Sequence, residues 1–173
     1  MKTKNLYILA LAMLIAIAGW QCSETVSTSE DARLVTETEL VKIPGYDWYT
    51  PVKLVYYPDP DTILAIKDEF DSSRHSFLVF SMPACACDNN QKLFPKAMKV
   101  LDTSGISMKF IEMYTVKNNK TKHPYDSLIT LRFIPTIILM KDGKPVYSII
   151  DSVIDQSIAN YTIEGEILRA LRK

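Results

Sequence analysis

The sequence predicts an α/β fold, with one central mixed β-sheet flanked by helices on both faces. Three observations carry this. Segments of strand character alternate with segments of helical period through the middle of the chain. The continuous apolar run from Ser76 to Met82 has the pattern of a central strand covered on both sides. Near the end, Lys141-Asp142-Gly143-Lys144 reads as a hairpin turn between two strands, and an amphipathic helix follows.

The elements follow in order. "VKLVYYP" from Val52 is aromatic and β-branched and is stopped by Pro58, so it reads as a strand. Asp59 or Asp61 then caps a helix whose Ile63, Ile66 and Phe70 share one face. After the strand from Ser76, the stretch from Asp88 to Leu101 reads as a helix with Leu93, Phe94, Ala97, Met98 and Leu101 on one side. Pro95 lies inside it and should kink it, because proline removes a backbone donor and crowds the preceding turn. "ISMKFIEMYTV" from Ile106 is a further strand, "KNNKTKHPYDS" a polar loop and "SLITLRF" a short helix or turn. "TIILM" and "PVYSIID" form the hairpin strands, and "TIEGEILRALRK" closes the chain as a helix with Ile163, Ile167, Leu168 and Leu171 apolar.

The amino-terminal part reads differently. Lys2 and Lys4 precede an apolar stretch from Leu6 to Ala18, thirteen residues long, which is short for a membrane span and right for a secretion signal. "IAGWQC" resembles the lipobox of a bacterial lipoprotein, with Cys22 as the residue to be lipidated, although Gln21 stands where a small residue is usual. The alternative is ordinary signal cleavage after Ala16-Ile17-Ala18. Both carry the chain into an oxidising compartment, where thiol pairs form disulfides. "SETVSTSEDARLVTETELV" is poor in large apolar residues, so its first half reads as a flexible tether; a short surface helix is the alternative for its later part. The expected organisation is therefore a signal peptide over 1–21, a tether over 22–50 and a folded domain over 51–173.

Composition narrows the function. The 173 residues are 47% hydrophobic and 23% charged, as in a globular protein with a real core. Formal net charge is zero, with 20 cations against 20 anions, which disfavours a nucleic-acid binder. No phosphate-binding glycine loop, zinc-protease motif or nucleophile elbow appears.

The chain has three cysteines, and two of them, Cys85 and Cys87, stand one residue apart just after the apolar strand. In α/β sheets, chemistry gathers at the carboxyl end of a central strand where the next helix begins. A thiolate at a helix start would be stabilised by free backbone N–H groups and the helix dipole, whereas Asp88 opposes a second anion near Cys87.

The order of elements, "FLVFSMPACAC", and "LRFIPTIILMKDGKPV" together resemble the thioredoxin family over about Val52 to Leu171. Ile134-Pro135-Thr136 matches the family's cis-proline segment, and "ILMKDGK" the β-hairpin after it. The chain departs from the family's usual C-x-x-C: Ala84 precedes the pair and only Ala86 lies between the cysteines. Val79 occupies a strand position where thioredoxins proper often carry a buried acid.

The resemblance implies a thioredoxin-like thiol–disulfide oxidoreductase of the bacterial cell envelope that needs no cofactor or metal. It would act on disulfide-containing or dithiol proteins and be held to the membrane by a lipid on Cys22. Cys85 would be the exposed nucleophile and Cys87 the resolving thiol. Pro135 would face the pair, and the backbone of Ile134 and Thr136 would dock an extended substrate. Closing a disulfide through one intervening residue is harder than through two, which favours exchange or isomerisation over strong reduction. Two other classes stay open. Thiolates at this spacing also suit Cu(I), with Met82 as a third soft donor and His75 and His123 as the chain's two imidazoles. A non-catalytic protein-binding module is the third.

Overall fold

The computed structural model describes residues 31–83, 89–150 and 162–173. Its centre is a five-stranded mixed sheet. The strands are β1 (Arg33–Val35), β2 (His75–Ser81), β3 (Ile111–Thr115), β4 (Thr136–Lys141) and β5 (Lys144–Ser148), in the spatial order β1-β3-β2-β4-β5. β2 and β3 run parallel, with Ser81 level with Thr115; every other pairing is antiparallel. β2 is thus a central strand, as its continuous apolar character predicts.

The parallel pair requires a crossover. It is supplied by a π-helical turn over Asn89–Leu93 and by a helix over Phe94–Thr103. The predicted single helix is divided beside Pro95, which occupies the first turn of the α-helical part. Proline has no N–H for the i−4 carbonyl, so the ladder preceding it shifts to the wider π spacing.

In chain order the α-helices whose whole length is described are α1 (Glu37–Leu40), α2 (Tyr49–Val55), α3 (Pro60–Glu69), α4 (Phe94–Thr103) and α5 (Ile163–Leu171). α3 starts as expected: the Asp59 carboxylate accepts from the Thr62 amide at 2.8 Å, and Pro60 opens the first turn. α5 is capped by Thr162, and its Ile163, Ile167 and Leu171 are buried.

α2 corrects the strand expected from Val52. Tyr49, Lys53 and Tyr56 follow the i, i+4, i+7 spacing of a helix face. Tyr49 is buried against Phe94 of α4, with ring centroids 5.1 Å apart. Packing overrides the β propensity of the Val and Tyr residues.

Strand alternation sorts the core into two layers. Phe77 and Val79 of β2 join Ile137 and Leu139 of β4 in one cluster with buried residues from all five helices. Leu78 and Phe80 point the other way, with Tyr114, Ile138 and Met140. That second layer is closed by Ile129, Leu131, Tyr125 and Ile134 of the chain between β3 and β4, where the short segment read as helix or turn is a turn. The expectation of helices on both faces is therefore corrected: among the described residues the helices cover one face.

The folded part also begins earlier than residue 51. β1 pairs with β3, and Leu40, Tyr46 and Tyr49 are fully buried in the helical layer. Val35, Leu40, Tyr46 and Tyr49, scattered among polar residues, are core contacts, with Ile43 and Trp48 packed against them, so the tether expected over 22–50 does not extend across 33–50. The hairpin turn is as expected. Asp142 and Gly143 have φ of 52° and 74°, the left-handed pair that a two-residue turn between right-twisted strands requires.

Candidate functional site

The carboxyl end of β2 is held by a buried network of hydroxyls. Ser81 is fully buried, and its Oγ lies 2.8 Å from Tyr46 Oη. Tyr46 Oη is also 3.1 Å from Thr115 Oγ1, so one phenol ties together the ends of the two parallel strands. Burial raises the Tyr46 pKa, and its hydrogen bonds to Ser81 and Thr115 oppose that shift. Tyr46 is fixed in turn by Trp48, whose ring centroid is 5.4 Å away and whose indole N–H donates to the Gly45 carbonyl at 2.7 Å. Nothing in the local sequence pattern singles out Tyr46, because its partners are 35 and 69 residues away.

Beyond Ser81 the chain passes through Met82 and Pro83 toward Cys85 and Cys87. Both cysteines, Asp88 and the expected lipidation residue Cys22 lie outside the described residues.

On the other side of β2, Phe80 pairs with Thr136. The strand register therefore sets Pro135 level with Ser81. The Ile134–Pro135 peptide bond is cis, as expected, and Pro135 is buried. Ile134 packs against the Leu78–Phe80 layer. Thr136 is buried and its hydroxyl lies 3.0 Å from Ser148 Oγ, so its side chain is already engaged within the fold.

The two histidines have structural surroundings. His75 opens β2 and Ser81 closes it. At about 3.3 Å per residue the strand separates them by roughly 20 Å. His75 Nδ1 accepts from the Asp71 amide at 3.1 Å. Its Nε2 is buried without a partner, and the ring packs on Phe70. His123 packs against Phe80, with centroids 4.8 Å apart. Its Nδ1 accepts from the Tyr125 amide at 3.3 Å and its Nε2 lies 3.1 Å from Asp126 Oδ1. Burial lowers both imidazole pKa values; around His75 the Lys141 charge adds to the effect. Neither imidazole offers a free nitrogen toward the end of β2. Among the described residues no group of three or more His, Cys, Asp or Glu could hold a metal ion, and no helix is long and apolar enough to cross a membrane.

Polar groups elsewhere fasten the helical layer. Glu164 of α5 is buried and accepts from the Tyr56 hydroxyl and, at 3.2 Å, from the Asp59 amide. Glu166 accepts from Tyr147 Oη at 2.9 Å and pairs with Arg169 at 2.5 Å. These carboxylates sit in the first turn of α5, where the helix dipole favours negative charge. Their partners account for them as packing residues.

The fold and this strand end define a mixed α/β protein with a parallel β–helix–β unit followed by an antiparallel hairpin and a closing helix. Comparison of the chain with protein-family models, with curated proteins and with solved structures finds no match.

Proposed function

We propose that this protein is a thioredoxin-like thiol–disulfide oxidoreductase of the bacterial cell envelope, working through Cys85 and Cys87. One observation carries the reading. The central strand β2 delivers the chain into the C-x-C pair, a helical segment follows, and the register with β4 brings the Ile134-Pro135-Thr136 segment level with the strand's end. The parallel β2–α4–β3 unit, the β4–β5 hairpin and the closing helix α5 support the same reading. The antiparallel edge strand β1 and, among the described residues, a second face without helices are this chain's own features.

In the proposed reaction the Cys85 thiolate attacks a substrate disulfide. One substrate sulfur leaves as a thiolate, and a mixed disulfide forms. The Cys87 thiolate then attacks the Cys85 sulfur and releases the second substrate thiol. Two electrons pass to the substrate, and the pair is left as a disulfide. Run backwards, the same steps oxidise a dithiol. Pro135 and the backbone beside it would border the substrate; the Thr136 hydroxyl, held by Ser148, would not take part.

The copper reading loses support from the imidazoles, since His75 lies at the far end of β2 and His123 is engaged by Asp126 and Tyr125.

The test is the redox equilibrium of the pair against glutathione, followed by thiol trapping. Reversible interconversion of dithiol and disulfide is expected. Cys87→Ser should accumulate mixed disulfides with partner proteins and Cys85→Ser few. Stoichiometric retention of Cu(I) with no disulfide exchange would replace the reading with metal binding. Anchoring has its own test: Cys22→Ser should abolish fatty-acid labelling and membrane fractionation.

A further inference from the structure

Beside the carboxyl ends of β2 and β3 lies an open groove of about 440 Å³. Its walls include Ile43, Met82, Pro83 and Val116, and Arg33 and Lys117 line it as well. Met82 and Pro83 are the residues that lead into the cysteine pair. We propose that this groove docks an extended polypeptide segment carrying acidic side chains. Calling that segment a redox substrate rests on the function proposed above; the docking itself does not.

Three features point to this occupant. The first is size. The volume falls within the roughly 300–1,000 Å³ of small-ligand sites, enough for a few side chains of an extended chain and too little for a folded domain. The second is the apolar wall, which suits side chains between charged ones better than it suits a free inorganic anion.

The third feature is charge. Lys117 begins a loop that also exposes Lys120 and Lys122. The loop is pinned in place. Thr121 Oγ1 accepts from the amides of Lys117 and Asn118 at 3.2 and 3.1 Å, and the Ala32 amide donates to the Lys122 carbonyl at 2.7 Å. This last bond draws the lysine loop against the segment that bears Arg33. Arg33 and Lys117 line the groove itself, while Lys120 and Lys122 of the same loop line neighbouring hollows. Against them stand Asp31, which lines the groove, and Asp126, which faces His123. Glu39 also feels the Arg33 charge, but its carboxylate is held by Thr36 at the start of α1. Among the described residues neither Arg33 nor Lys117 is in a salt bridge. Two cations against one carboxylate on an otherwise largely apolar lining favour acidic partners and speed their encounter.

The test uses three fluorescein-labelled ten-residue peptides with a central serine in place of cysteine, flanked by Glu, Gln or Lys, so that binding is read without thiol chemistry. The Glu peptide should bind the full protein most tightly, and its affinity should fall with added salt. Arg33→Glu combined with Lys117→Glu should weaken it about fivefold or more and improve the Lys peptide. Arg33→Gln with Lys117→Gln should give an intermediate loss at an unchanged urea midpoint, which separates charge from folding. Equal binding of the Glu and Gln peptides by the wild type, or no change on charge reversal, would overturn the proposal. So would charge-dependent binding to phosphatidylglycerol vesicles with no preference among the peptides, which would assign the cations to a lipid surface. Exchange with the uncharged hydroxyethyl disulfide reports the redox reading separately. If that reaction is absent while the Glu peptide is preferred, docking stands and the oxidoreductase reading falls.

Discussion

The single side chain that organises the candidate site is Tyr46. Its hydroxyl is the shared partner of Ser81 and Thr115; Tyr46 and Ser81 are removed from bulk water and Thr115 is half-buried. Tyr46→Phe keeps the ring but leaves the buried Ser81 hydroxyl with one partner fewer, which costs about 1–3 kcal/mol. The expected result is a lower urea midpoint with an unchanged slope; an unchanged midpoint would show that the network adds nothing. The imidazoles set a second residue-scale property. Burial holds the folded-state pKa values of His75 and His123 below the ordinary 6.5. As pH falls the unfolded chain therefore binds protons first. The stability due to the neutral rings is complete above pH 6.5 and is lost below it, toward the folded-state values. Urea titrations between pH 8 and 5 should show this loss, and His75→Asn should reduce its slope, since His75 Nε2 is buried without an acceptor. A pH-independent midpoint over that range would contradict the assignment.

At the scale of elements, the β4–β5 hairpin separates backbone from side-chain effects. Gly143 has φ of 74° with open space where a side chain would grow, so Gly143→Ala meets no clash but pays the left-handed penalty of about 1–2 kcal/mol. Arg74 pairs with Asp142 of this turn at 2.8 Å, but both side chains are about half exposed, and Arg74→Ala should change stability less than Gly143→Ala does. Thermal unfolding of the two variants should rank them in that order, and the reverse ranking would mean that the ion pair, rather than the turn, fixes the hairpin. This hairpin was legible because Asp-Gly between apolar runs states its own geometry, and so were α3, with its aspartate cap and proline, and the break at Pro95. α2 was not. "VKLVYY" carries strand propensity, and its helical spacing of Tyr49, Lys53 and Tyr56 becomes decisive only once Phe94 is there to receive it. The one-sided helical layer was equally hidden, because a buried β2 reads the same whether its second face meets helices or the folded chain between β3 and β4.

At the scale of the whole molecule, the question is where the cooperative unit begins. Composition sets the boundary at residue 51, since the preceding stretch is rich in Ser, Thr and Glu. The contacts place it well before that: Arg33–Val35 adds an edge strand, and Val35, Leu40, Tyr46 and Tyr49 are buried in the helical layer. A few apolar residues spread over a polar segment have no local signature, because each finds its partner elsewhere in the chain. Their weight is large all the same. Four buried side chains at roughly 1.5–3 kcal/mol each approach the roughly 5–15 kcal/mol that separates a folded domain from its unfolded chain. Ser81 and Thr115 would also lose Tyr46, so the damage reaches the strand end from which the cysteine pair departs. A chain that begins at Ser23 should therefore unfold in one cooperative transition. A chain that begins at Pro51 should lose its cooperative transition. If it instead unfolds cooperatively at the same midpoint, residues 31–50 are an appendage to the fold, and the tether extends as far as the composition suggests.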